Sequence, residues 1–146
     1  MTTEYSRTDL AAGIRDFVWL LDSFVQQVAG VEQAVAVSSD GLLMAMSSPL
    51  SRPQADKLAA IISGSTSLAL SASRLLAKGP LRQVITEFSD GYLLVSAISG
   101  GSCLGVVTTA SCDLGMVGYQ CTRLVQQVGP LLTPELITSL KASLEP

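Results

Sequence analysis

The only glycine-rich stretch in the chain, Ser99-Gly100-Gly101-Ser102-Cys103-Leu104-Gly105, is the first place to look for chemistry. A phosphate-binding P-loop needs Lys followed by Ser or Thr after its last glycine, to reach the terminal phosphates and Mg²⁺. A G-x-S-x-G nucleophile elbow needs glycine where Leu104 stands, and a histidine elsewhere. Neither pattern is met, and Gly-Gly is ordinary hairpin-turn chemistry. Cys103, Cys112 and Cys121 are odd in number, nine residues apart and without a CxxC pair, so they read as small core side chains and not as a disulfide framework or a zinc site. Histidine is absent. The commonest general base, the commonest metal ligand and every Ser-His or Cys-His nucleophile go with it. The acids form no constellation: Asp40 and Asp90 sit in turns, Asp113 at a helix cap, and Asp9, Asp16 and Asp22 on the outer side of a helix. Glu87 and Arg82 read as charges on an exposed sheet edge. The residues call for no enzyme and no cofactor.

Composition points instead to surfaces. The 146-residue chain is 48% hydrophobic and only 14% charged, against roughly a quarter charged in ordinary domains. One domain, residues 1–146 with a core over about 10–130, is expected to leave apolar surface that another copy or a partner covers. Net charge is −3 and the basic residues are scattered, which argues against nucleic acid as a partner. The stretch from Met1 to Asp9 has no apolar run of the signal-peptide kind, so a cytoplasmic location is expected.

The element that could carry such a surface is a long helix from Arg52 to Gly79. Ser51 is placed to cap it, Pro53 fits its first turn and Gly79-Pro80 stops it. On a helical wheel Leu58, Ile61, Ile62, Leu68, Ala69, Ala72, Leu75 and Leu76 share one broad arc, expected to lie on a sheet. The far side is uncharged from Leu58 to Ser73, with Ala60, Gly64, Ser67 and Ser71 in a 4-3-4 row of small residues and Leu70 beside them. Exposed helix faces usually carry charge, so this row is expected to meet a second copy of the same helix, the alternative being a merely serine-rich solvated face. A transmembrane span is a rival, but about sixteen uncharged, serine-rich residues fall short of the ~20 apolar ones a span needs.

Apolar residues from Leu10 to Val28 recur at helical spacing, with Thr8 or Asp9 as the cap. Trp19 falls opposite that stripe, where it would touch either a partner or the chain's own C-terminal segment. Two hairpins are predicted, Val31–Ser39 with Leu42–Ser47 around Asp40-Gly41 and Leu81–Ser89 with Tyr92–Ser99 around Asp90-Gly91, both as type I′ turns. A fifth strand spans Cys103–Ala110, a helix capped by Asp113 runs from Leu114 to Val128, and Thr133-Pro134-Glu135 opens a short terminal helix within residues 131–146. The order α-β-β-α-β-β-β-α gives an α+β fold: a five-stranded antiparallel sheet, the central helix on one face and the first and last long helices on the other.

Trp19-Leu20-Leu21-Asp22, Val28-Ala29-Gly30-Val31, Ser38-Ser39-Asp40-Gly41-Leu42-Leu43, Ala59-Ala60-Ile61-Ile62-Ser63-Gly64, Asp113-Leu114-Gly115 and Tyr119 occur in that order. Together with the element order they resemble the bacterial roadblock/light-chain family, over about Leu10 to Leu136. The likeness is closest to actinobacterial members encoded in conservon operons beside a sensor-kinase-like protein and a small Ras-like GTPase. It implies a homodimer in which central helices pair, edge strands extend the sheet and a GTPase binds. On this sequence the dimer helix would be Arg52 to Lys78 and the pairing edge Leu81 to Ser89. A member of the family accelerates GTP hydrolysis by reshaping its partner GTPase without inserting a catalytic residue. Arg52, Arg74 and Arg82 are the basic residues near the implied surface, and an arginine can stabilise transition-state charge in trans. The implied function is a non-enzymatic homodimeric regulator or scaffold for a Ras-like GTPase, with a small-molecule sensor domain as the alternative, its cavity lined around Met44, Met46 and Phe88.

Overall fold

The computed structural model describes residues 7–47 and 50–144. Four helices flank one antiparallel sheet: α1 (Arg7–Gln27), β1 (Val31–Val37), β2 (Leu43–Met46), α2 (Arg52–Leu76), β3 (Gln83–Phe88), β4 (Gly91–Ala97), β5 (Cys103–Thr109), α3 (Leu114–Val128) and α4 (Pro134–Ser143). The strand order is β2-β1-β5-β4-β3, so β3 and β2 are the edges. Alternation along the strands divides the core in two. Ala34, Ala36, Leu94, Leu104 and Val106 meet α1 and α3 through Phe17, Leu21, Val117 and Cys121. On the other face Val35, Val37, Leu93, Val95 and Cys103 meet α2. The expected α+β layering is therefore present.

Three predicted caps hold. Ser51 accepts from the Gln54 backbone N–H, Asp113 from Met116 at 3.1 Å and Thr133 from Leu136 at 3.1 Å. Helix α1 is an exception: it starts by Arg7, which puts Thr8 and Asp9 inside its first turn instead of at its cap. Helix α2 stops at Leu76, earlier than Gly79, because Ala77 takes the left-handed conformation at φ 54° and its N–H turns back to the Arg74 and Ser73 carbonyls.

The two hairpin turns are not type I′, which would need positive φ at both central residues. Gly41 has φ 83°, but Ala77 is the only non-glycine with positive φ among the described residues, which leaves Asp40 out. In the second hairpin the two-residue loop is Ser89-Asp90, and Gly91 already pairs with Phe88. Gly91 is needed for another reason: a Cβ there would stand 2.2 Å from the Thr108 carbonyl oxygen on β5. Gly100 and Gly101, both with positive φ, turn the chain between β4 and β5 as expected of the glycine-rich stretch.

The face of α2 that meets the sheet differs from the predicted arc. Ala55, Ala59 and Ile62 are its buried residues, and Thr66, one turn further on, lies 3.7 Å from the Cys103 sulfur. Leu58 and Ala69 are half-buried, whereas Ile61, Leu68, Ala72, Leu75 and Leu76 are exposed. The physical reason is the sheet's own surface. Gly105 on β5 leaves room for Ile62, whose Cδ1 would lie 2.3 Å from any Cβ placed on that glycine. A helix seated that closely presents alanines to the strands, and its bulkier residues turn outward.

Helix α4 folds back over the first hairpin. The Lys141 ammonium lies 3.0 Å from the Asp40 carboxylate, and Leu144 reaches the α2 side of the core. A hydrogen bond from Ser38, and then Lys141, hold the Asp40 carboxyl well below its ordinary 3.8, at about 2. A depressed carboxyl pKa contributes stability that is in full above the unfolded value and is lost as pH falls through the folded one. Asp40→Asn should therefore lower the melting temperature slightly near pH 6, by what an exposed pair is worth, under about 1 kcal/mol. Melting curves of wild type and variant should converge as pH falls from 4 towards 2. A gap that persists there would mean that this carboxylate contributes nothing through its charge.

Candidate functional site

The outward face of α2 is built by the same seating that buries its alanines. Ile61, Leu68 and Leu75 stand seven residues apart, 60%, 75% and 84% exposed, and form one line along a helix of about 38 Å. Gly64 and Ala72 fill the spaces between them and are also exposed. Seven-residue apolar spacing is the signature of a seam between two helices, because it keeps the same flank facing its neighbour. Nothing lies within 4 Å of the position a Gly64 Cβ would take, so this glycine is not required by its own chain's packing.

Beside this line lies the open edge of the sheet. Among the described residues, strand β3 pairs only with β4, and its outer backbone groups face no strand. Val84, Thr86 and Phe88 are in register with Val95, Leu93 and Gly91, which places them on the α2 side, and Phe88 is exposed. Leu58, Ile61, Phe88, Leu93 and Val107 line an apolar groove of about 350 Å³ between the helix and the strands. An open edge strand that presents Val84 and Phe88 next to an apolar helix flank is a surface that isolated chains avoid.

The predicted partner residues divide around this surface. Ala60, Gly64, Ser67 and Ser71 are exposed as expected, but only Gly64 lies within the apolar line, and the other three form its shoulder. Leu70 is half-buried and lines a pocket with Arg74 and Pro80 on the opposite flank, so it does not belong to the row. Arg82 is exposed just before β3. Trp19 lies across the sheet from those on α2: it is 64% exposed on α1, where it lines a groove shared with residues of α3. The residues that wheel reasoning misplaced are Ile61, Leu68 and Leu75, which it assigned to the core and which are exposed. Their strict seven-residue spacing was the available signal.

The same geometry narrows what chemistry is open to the chain. Burial pushes the Cys121 thiol up to about 12 and also raises that of Cys103, so neither is a ready thiolate. Among the described residues no group of three His, Cys, Asp or Glu side chains could hold a metal. The sensor cavity expected near Met44, Met46 and Phe88 does not form. Met44 is fully buried in the α1-side core, Met46 is half-buried on the other face, and both belong to β2, at the opposite edge of the sheet from Phe88. By length and composition α2 is the one described helix that could cross a membrane, although its underside is fixed to the sheet through Ala55, Ala59 and Ile62.

Comparison with known proteins agrees with this architecture. A Roadblock/LC7 domain from Streptomyces avermitilis is 37% identical, with a TM-score of 0.73, covering 77% of this chain and 94% of that one. MglB from Myxococcus xanthus is 13% identical with a TM-score of 0.73, covering 80% and 94%. The gliding protein MglB of Thermus thermophilus is 17% identical with the same score, covering 88% and 93%. These two share the fold. No curated protein matches the sequence. The Roadblock/LC7 domain pattern itself matches residues 17–108, from the middle of α1 through β5, the span that holds α2, the open edge and every strand. With that span and the Streptomyces relative in agreement, the chain belongs to the Roadblock/LC7 family.

Proposed function

We propose that this chain acts as a homodimer, closed by α2 against α2 and β3 against β3, and that the dimer regulates or scaffolds a small Ras-like GTPase without supplying a catalytic residue. The observation that carries the dimer is the exposed line Ile61, Leu68, Leu75 running beside an unpaired strand edge. A two-fold axis through Leu68 brings Ile61 against the partner's Leu75 and Gly64 against the partner's Ala72, large beside large and small beside small. The same antiparallel approach puts apolar side chains over the groove at Phe88. Family membership supports the GTPase, and the chain's lack of histidine supports a role in binding. Arg74 and Arg82 flank the surface and are available to acidic groups of the GTPase. A sensor-kinase-like protein is a further partner in this reading, and the cytoplasm its place.

Light scattering behind size exclusion tests both parts. The chain alone should run as a dimer at micromolar concentration, and the mixture with the neighbouring GTPase should shift when that GTPase carries a GTP analogue and not GDP. A monomer that is indifferent to both would remove the proposal. Gly64→Leu offers a finer test of the seam. Since no atom of its own chain opposes the new side chain, the fold should be unaffected, while overpacking should weaken the dimer by ~1 to 3 kcal/mol. An unchanged dimer constant in sedimentation would show that Gly64 faces solvent.

A further inference from the structure

The α1–α3 face carries a second surface that the α2 dimer leaves uncovered. Between the two helices lies a groove of about 250 Å³ with Leu20, Phe24 and Leu124 at its base and Trp19 and Arg123 on its walls. That volume is below the ~300–1,000 Å³ of sites that enclose a small molecule, and suits one or two side chains of a larger partner. Its rim is amide-rich: Gln27, Gln120 and Gln127 offer both donors and acceptors, the groups that hold a peptide backbone.

Charge decides the class of occupant. In a chain of net charge −3, Arg123 is the one charged residue among the described residues that line this groove, and it enters neither the Arg52–Asp56 nor the Lys141–Asp40 pair. Tyr119 and Met116, exposed on α3 near the groove, extend the surface with an aromatic and a thioether. Exposed Trp and Tyr beside an Arg that has no ion pair among the described residues is the composition of a binding hot spot, in which an apolar anchor is enclosed and a carboxylate is held by the guanidinium. We infer that the α1–α3 groove is a docking site for an acidic amphipathic peptide segment of a partner protein, its apolar side chain against Trp19 and its carboxylate on Arg123. The site lies across the sheet from α2 and stands independently of the dimer proposal.

Selection of a random peptide library on the full chain tests it. Enriched peptides should pair a large apolar residue with Asp or Glu within one helical turn, and binding should shift the emission of Trp19, the only tryptophan in the protein. Affinity should fall about tenfold or more in Arg123→Glu and in Trp19→Ala, and should weaken as salt rises. Replacing the peptide acid by lysine should restore binding to Arg123→Glu. Leu68→Glu should bind as wild type does, which separates this site from the seam. Enrichment of neutral or basic peptides, no enrichment, or binding that leaves Trp19 emission unchanged would overturn the inference. So would a change in the oligomeric state of the free protein in Trp19→Ala, since the face would then be a contact between copies. Both side chains are exposed, so thermal melts of the two variants should match wild type and exclude misfolding as the cause of lost binding.

Discussion

Leu68→Glu should convert the protein to a folded monomer. Leu68 is 75% exposed in the single chain, so the substitution removes little intramolecular packing, and melting of a dilute sample should change by no more than loss of the dimer explains. In the proposed dimer the same position lies on the two-fold axis. Two carboxylates would meet there in an apolar seam with no basic group between them, because α2 carries no charge from Leu58 to Ser73. Burying unpaired charge costs several kcal/mol, so the dimer constant should weaken on the order of a hundredfold or more. Ser67→Glu is the matched control. Ser67 lies on the shoulder of the line, about a quarter turn round the helix from Leu68, and its variant should keep most of its affinity. If sedimentation velocity finds Leu68→Glu dimeric and Ser67→Glu monomeric, the seam runs along the row of small residues. If neither variant changes, α2 does not form the interface.

That contrast marks where the sequence stopped being informative about α2. Its start and N-terminal cap were legible because Ser51 and Pro53 act locally on the adjacent backbone, whereas its stop at Leu76 is set by the left-handed Ala77 and not by Gly79. Which of its flanks meets the sheet is not local. The helix has two apolar arcs, one of alanines and Ile62 and one of Ile61, Leu68 and Leu75, and hydrophobicity ranks the second higher. The first wins because Gly105 leaves a space that Ile62 fills, which seats the alanines beside it on the strands, a fact that resides in β5, some forty residues further along. The hairpins show the same limit at smaller scale. Asp-Gly marked where both hairpins turn but not how, since the tight turns centre on Ser39-Asp40 and Ser89-Asp90, and Gly91 is glycine because the Thr108 carbonyl approaches it, a neighbouring strand that cannot be read from a dipeptide. Trp19 was readable as an outlier on its helix. Its groove was not, since half of it comes from α3, a hundred residues away.

Ile62→Ala should be the most damaging substitution to the fold among those that bear on the site. Ile62 is fully buried and is the one large side chain among the three that α2 buries, beside Ala55 and Ala59. Truncating a buried isoleucine costs ~2 to 5 kcal/mol, and the value here should fall in the upper half of that range. The cavity left behind has Gly105 as its floor, with no side chain to move in, and the flanking alanines on α2 are too short to help. In urea the midpoint should fall with little change in slope, and the melting temperature should drop on the order of 10 °C. Measuring this in the Leu68→Glu background keeps dimer dissociation out of the result. Gly105→Ala provides the cross-check. Alone it should destabilise by ~1 to 3 kcal/mol, since its Cβ would meet the Ile62 Cδ1 at 2.3 Å and the Val35 Cγ2 at 3.2 Å. Combined with Ile62→Ala, that methyl enters the space just vacated, so the double variant should be more stable than the sum of the two losses predicts. Strict additivity would mean that Ile62 and Gly105 do not form the seat of α2. A favourable coupling would fix the helix to the sheet at this point, and with it the outward direction of Ile61, Leu68 and Leu75.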